Sequence, residues 1–338
     1  MKPTIYIVLF LGLVFAKLSF AQDIHFSQFG ASLLNISPGF TGLFDGDYRV
    51  GAIYRSQWQS VPVSYSTFNM NGEMRFKPKQ LVKDMVGIGI IFNNDRAGDA
   101  HYGTTQVYLS GSYIFLAKPD SSLIMTLGAN VGFCQVGFDY SKMTFDRQFD
   151  GFQFNQNSVT GEQFNQTNRS FGDINVGTAI QYILKHKHRF TYALGVHHVT
   201  SPVITYQGND LSKLNFLFSN YLGYSTPISE RTDIVSEVLL TNQGKNYELI
   251  PHLSLKYYFS RVTGQAILAG ACFRTRDAVV ARLGYTYKTL QSGIAYDINI
   301  SKFTAATNRR GAFELFINYI IRLKPGFIAK KRACPVFM

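Results

Sequence analysis

The chain has 338 residues, 46% hydrophobic and 15% aromatic, yet only 16% are Asp, Glu, Lys or Arg and the formal net charge is +12. A soluble domain usually carries ~25% charged residues, and disorder needs low hydrophobicity with high charge; neither suits a chain with 29 Phe and 20 Tyr. Beyond residue 21 no apolar run approaches the ~20 residues of a membrane-spanning helix, which leaves a large β domain in water or a β-barrel in an outer membrane.

Residues 1–21 read as a secretory signal peptide: Lys2 at a charged start, an apolar core from Ile5 to Phe15, and the small residues Ser19 and Ala21 before the cut. Cleavage is expected after Ala21, and no Cys follows the core to suggest a lipid anchor. It removes Lys2 and Lys17 and no acid, so the charge falls from +12 to +10. In an exported protein, basic charge meets anionic head groups or an acidic protein more plausibly than nucleic acid. Cys134, Cys272 and Cys334 give no disulfide framework and no zinc spacing, leaving one bridge open.

Residues 22–47 alternate poorly, and Pro38-Gly39 would break a strand, so an irregular or partly helical arm is expected. Its Phe26, Phe29, Leu33, Leu34 and Phe40 suggest packing, in a lumen or at its periplasmic mouth. From 48 to 323 the dominant pattern is two-residue alternation in segments of about ten. Strands are expected at 48–58, 63–76, 85–93, 104–115, 122–140, 171–183, 189–200, 214–227, 232–241, 248–259, 263–274, 278–286, 291–299 and 313–323. In the last, Phe313, Leu315, Ile317, Tyr319 and Ile321 oppose Glu314, Asn318 and Arg322. That is an even number of strands, as in bacterial single-chain barrels. The connections 94–103, 141–170, 201–213 and 300–312 fall on one end, and the short 184–188, 228–231, 260–262 and 287–290 on the other. A soluble sandwich also alternates, but its solvent face would be richer in Lys and Glu than these Gly, Ser, Thr, Asn and Gln rows. The fold expected is an all-β transmembrane antiparallel barrel of about fourteen strands, preceded by the arm and followed by a basic periplasmic tail, 324–338.

No motif demands catalysis. There is no GxSxG elbow and no Walker-type loop, so an enzyme is not expected, nor any cofactor or metal. Asp95, Arg96 and Asp99 suggest an ion-pair turn, with too few acids for a calcium loop. His197 and His198, on a strand, should face opposite sides and share no metal; His186 and His188 lie in a basic turn read as solvated. Arg276 and Asp277 read as a rim salt bridge. In the connection 141–170, Phe145, Phe149, Phe152, Phe154 and Phe164 among polar residues suit a protein interface.

QDIHFSQ at 22–28, NISPGFTG at 35–42, YRSQW at 54–58, FNNDRAGD at 92–99, VHHVTSP at 196–202, FRTRDAVVARLGYTY at 273–287 and GIAYDINIS at 293–301 occur in that order. Together they resemble the PorP/SprF family, outer-membrane proteins of the type IX secretion system of Bacteroidota, with Ile24 where the family commonly has Pro. The resemblance spans nearly the whole mature chain and ends in Cys334-Pro335. It marks Gln22, Phe26, Ser27, Gln28, Pro38, Trp58, Asp95, Arg96, Gly98, His198, Arg274 and Asp277 as family-motif positions with structural roles. It implies a non-enzymatic component that supports secretion and surface attachment of proteins such as gliding adhesins by binding their C-terminal domain. For one branch of the family it also implies a link to the periplasmic ring lipoprotein and its partner, and the motifs do not assign the branch. The alternative from another class is a porin or FadL-like channel, with Arg49, Arg55, Glu248 and Lys256 along a conductive path. The basic tail with Lys324, Lys330, Lys331 and Arg332 suits either anionic lipid or the secretion machinery.

Overall fold

The computed structural model describes residues 23–323 except 60, 62, 63, 82, 119, 120, 163, 165, 185–187, 207–211 and 303. The predicted signal peptide, Gln22, the basic tail and Cys334 lie outside the described residues. Fourteen antiparallel strands close into one barrel in chain order. They are β1 (Tyr48–Gln57), β2 (Tyr65–Phe76), β3 (Met85–Ala97), β4 (Tyr102–Leu116), β5 (Leu123–Gly137), β6 (Asn168–Ile183) and β7 (Arg189–His197). The second half is β8 (Leu217–Pro227), β9 (Thr232–Gln243), β10 (Asn246–Ser260), β11 (Gln265–Arg274), β12 (Ala278–Tyr287), β13 (Leu290–Asn299) and β14 (Arg310–Ile321). β14 returns to pair with β1, so no strand edge is left unpaired, which hydrocarbon demands of any sheet that crosses it. No helix among the described residues is long and apolar enough to cross a membrane.

Alternation sorts the two faces as the pleat requires. On β14, Phe313, Leu315, Ile317 and Tyr319 are exposed outward while Glu314 and Asn318 are buried inward. Leu109, Leu127, Val131 and Phe133 do the same on β4 and β5, Leu127 being 70% exposed. Lipid, not water, is the solvent such a surface fits.

The connections 138–167, 198–216 and 300–309 lie at one end, and every connection at the other end is short. In single-chain bacterial barrels the long loops are outermost, so the short turns face the periplasm. The expected loop 94–103 is not one. β3 runs on to Ala97, β4 begins at Tyr102, and Gly98 supplies a left-handed φ of 68° in the tight turn between them. Asn93 and Asp95 are inward residues of a strand; in a polar lumen, polarity does not end a strand.

That lumen is occupied along one side. The arm from Asp23 enters it as three 3-10 turns, Phe29–Ala31, Leu33–Asn35 and Pro38–Phe40. It runs from the outer mouth, where the Asp23 N–H donates to Gln243 at 3.0 Å, to the periplasmic end, where the Asp47 N–H donates to the Ile321 carbonyl at 2.9 Å. Phe26, Phe29, Leu34, Ile36 and Phe40 are buried along it, each contributing about 1.5–3 kcal/mol relative to exposure. The inner wall is shaped to receive the chain: a Cβ on Gly195 would meet the Ile36 carbonyl oxygen at 2.1 Å, and one on Gly128 the Pro38 carbonyl oxygen at 2.3 Å. Only glycine lets backbone approach backbone so closely.

Candidate functional site

The arm is held by three polar clusters that alternate with its apolar contacts. In the first, the register sets Arg55 of β1 opposite Glu314 of β14, and the two pair with side chains almost fully buried. Glu314 also accepts the backbone N–H groups of Ser27 at 2.6 Å and Gln28 at 2.8 Å. Ser27 Oγ donates to Asp297 at 3.0 Å and accepts from Arg55 at 2.8 Å. The register shift between Tyr296 and Ile298 sets Gly311 and Ala312 of β14 opposite Asp297 alone, a bulge of the kind by which strands re-aim a side chain. Arg274 completes the cluster, 3.0 Å from Asp297, 3.2 Å from Glu248 and 3.0 Å from Asp277, while donating to His25 Nε2 at 2.7 Å. The expected pair of Arg276 with Asp277 is therefore replaced: Asp277 turns to Arg274, and Arg276 lies 5.3 Å over the Tyr247 ring.

In the second cluster His198 stands between two carboxylates, Nδ1 at 2.8 Å from Asp173 and Nε2 at 2.9 Å from Asp23. A carboxylate only accepts, so both ring nitrogens must donate and the imidazole is cationic. Burial disfavours charge on either group, but attraction outweighs it: Asp23 is held at about 2 and His198 is pushed up to about 10. Asp173 further accepts from the Tyr108 hydroxyl at 2.8 Å, which contacts Cys134 Sγ at 3.2 Å. His197 and His198 do not face opposite sides. His198 lies just past β7 with φ 60°, which turns both rings inward, 6.5 Å apart, and His197 Nε2 meets the Ile36 carbonyl at 3.0 Å.

The third cluster is an amide ladder. Ser32 donates to Asn69 at 2.9 Å, Asn69 to Asn93 at 2.7 Å, and Asn93 to Gln106 at 3.0 Å. Asp95 accepts from Thr67 at 2.6 Å rather than forming an ion-pair turn with Arg96, which points outward. Of the remaining motif positions, Phe26, Gln28 and Pro38 are buried in the arm. Trp58 lies past the end of β1 with φ 58°, edge-on to Tyr65 at 5.0 Å. His188 is not a free solvated group either, meeting the Tyr224 hydroxyl at 2.9 Å and Thr226 at 2.8 Å. Cys134 and Cys272 are free thiols in separate buried clusters.

Outside the membrane, the five loop phenylalanines divide. Phe145 and Phe164 pack into the loop base, 5.4 and 5.7 Å from Tyr140, and Phe164 meets Phe138 at 5.1 Å. Phe138 in turn meets Tyr206, tying this loop to the next at 5.2 Å. Phe149 and Phe154 bridge a small hairpin whose turn is fixed by Asp150, which accepts the N–H groups of Phe152 and Gln153, both at 2.8 Å. Phe152 at its tip is 96% exposed, with Phe149 and Phe154 about half exposed.

The signal for the lumen clusters lies in the inward rows of the strands, where Arg55, Glu248, Arg274, Asp297 and Glu314 are charges each directly preceded by an aromatic residue. Their convergence on Ser27 was not legible, because it depends on where the arm lies.

Among solved structures, the barrel is similar to the toluene transporter TbuX of Ralstonia pickettii, with a TM-score of 0.52 at 10% identity over 86% of this chain and 93% of that one. It is also similar to a FadL homologue of Pseudomonas aeruginosa, with a TM-score of 0.50 at 9% identity over 84% and 92%. Identities this low concern the fold alone. No curated protein sequence matches the chain. Residues 18–319 match the family described as type IX secretion system membrane protein PorP/SprF, and the chain belongs to that family.

Proposed function

We propose that this outer-membrane component of the type IX secretion system is exported after cleavage behind Ala21 and holds a secreted surface protein by its C-terminal domain at the outer face of the barrel. It is a receiving and anchoring part with no chemistry of its own. The observation that carries the reading is the hairpin around Phe152, 96% exposed above a braced aromatic base. Rigid aromatic anchors surrounded by polar residues are what central interface contacts are made of. The occupied lumen supports an anchor over a conduit: Arg55 and Glu248, which a conductive path would need free, are bound in the cluster around Ser27 and Arg274.

The test is a mild-detergent pull-down of the tagged chain from native outer membranes beside a deletion of 141–170. Recovery of a surface protein's C-terminal domain, lost with the loop, is expected. Solute-dependent conductance of the intact chain without any partner would overturn the reading in favour of a channel.

A further inference from the structure

The two ends of the barrel differ in charge. By sequence, the periplasmic connections 77–84, 117–122, 184–188, 228–231, 261–264 and 288–289 hold nine Lys or Arg against three Asp or Glu. The outer connections hold seven of each. Inside the basic end, the arm leaves one side of the lumen open as a chamber of about 520 Å³, adjoined by a deeper one of about 330 Å³. The arm gives the chamber an apolar wall of Leu33, Phe40 and Leu43, and the opposite wall carries Arg189, Lys256 and Lys288.

Neighbouring cations are matched: Arg49 pairs with Glu73, Arg322 with Asp45, and Arg282 with Glu237. Arg189, Lys256 and Lys288 have no carboxylate within ion-pair distance among the described residues; Lys256 and Lys288 lie only over the rings of Tyr258 and Tyr287, at 5.2 and 5.3 Å. At the deep end, the buried Nε of Arg282 donates to nothing among the described residues. Lys256 is half-buried and Arg189 and Lys288 are exposed around the chamber, and a concentration of cations without carboxylate partners is the complement of an anion.

We infer that this chamber is a docking site, entered from the periplasm, for an acidic peptide segment of another protein whose apolar side chains lie on the arm and whose carboxylates meet Arg189 and Lys256. Charge excludes this chain's own remainder as the occupant. The chain leaves the barrel at Leu323, beside Asp47 at the same rim, and the residues that follow include Lys324, Lys330, Lys331 and Arg332. The bilayer is separated from it by position, because the chamber is inside the barrel wall. The site is separate from the outer hairpin and stands whether or not that hairpin binds cargo.

The experiment uses the full chain in detergent with a fluorescein-labelled octapeptide of alternating Glu and Leu, and the same peptide with Lys for Glu, read by anisotropy. Saturable binding of the acidic peptide alone is expected, weakened about tenfold or more by the double variant Arg189→Glu, Lys256→Glu. Lys256→Arg should retain binding. Thr286→Trp, which fills the chamber without changing charge, should lose it, and an unchanged heat-shifted band on gels certifies each barrel as folded. Binding indifferent to these variants would overturn the inference. So would displacement by inorganic phosphate at the peptide's own concentration, which would reduce the site to one for small anions, or displacement by anionic phospholipid vesicles, which would move the binding to the outside of the rim.

Discussion

Replacing Glu314 by Gln isolates how the arm is held. Glu314 is fully buried and serves three donors at once: the N–H groups of Ser27 and Gln28 and the guanidinium of Arg55. Glutamine keeps one acceptor oxygen and puts an NH2 where the other was, so a donor must face a donor. Removing one partner of a buried pair costs about 3–5 kcal/mol. At about 1.4 kcal/mol per factor of ten, the fraction of molecules with this part of the arm released rises roughly a hundred- to several-thousand-fold. Amide hydrogen exchange followed by mass spectrometry on the detergent-solubilised chain reads it directly. Segments containing Ser27 and Gln28 should exchange faster by that factor, while the paired strands β4 and β5 stay protected. Arg55→Met should do less, because Glu314 keeps its two backbone donors and Asp297 keeps Arg274. Exchange of Ser27 and Gln28 within about threefold of the unaltered protein, well under the 3 kcal/mol lower bound, would refute the reasoning.

The outer end of the arm should respond to pH. His198, raised from 6.5 to about 10, stabilises fully below pH 6.5 and loses its contribution as pH rises toward 10; Asp23, lowered from 3.8 to about 2, contributes above 3.8 and fails as pH falls toward 2. Exchange around Ile24, corrected for its intrinsic rate, should therefore be slowest between about pH 4 and 6.5 and accelerate above, and a His198→Gln variant should lack that rise; a flat profile would count against the clamp. Gly195→Ala should displace the arm at Ile36, at about 1–3 kcal/mol for overpacking, whereas Gly111→Ala, whose Cβ meets nothing within 4 Å, should melt like the parent. The triple change Phe149→Ala, Phe152→Ala, Phe154→Ala should leave stability within about 0.5 kcal/mol and weaken capture of a surface protein by 2 kcal/mol or more, on the order of thirtyfold; a drop in melting temperature instead would make the tip part of the fold. Deleting 23–45 should raise single-channel conductance in planar bilayers, and an unchanged trace would mean that the arm is not what narrows the lumen.

The barrel was legible because a sheet between lipid and a polar interior writes its two faces as strict alternation, and each expected strand has its counterpart. The errors share a cause. Asn94, Asp95 and Arg96 read as loop residues if polarity means water, whereas β3 runs on to Ala97 and Asp95 faces a lumen lined with amides. His198 departs from the alternation because a single left-handed residue reverses the side a strand predicts, and nothing in VHHVTSP announces that φ. The arm's apolar residues suggest packing, but the glycines that admit its chain, Gly87, Gly128, Gly177 and Gly195 on four different strands, are scattered through the sequence and carry no side chain to reveal the contact. Of the candidate site, the aromatic content of the outer loop was readable. Its division into a braced base and a bare tip depends on contacts with Tyr140 and, through Phe138, with Tyr206 in the next connection.

The pairing of Arg55 with Glu314 spans the seam where the last strand meets the first. The same carboxylate takes up the arm's backbone. Completion of the cylinder and acceptance of its filling thus meet at one carboxylate. A barrel zipped shut without the arm would leave a buried carboxylate at its own joint short of two hydrogen-bond donors, and the machinery that inserts such proteins would be left with a cylinder reluctant to close.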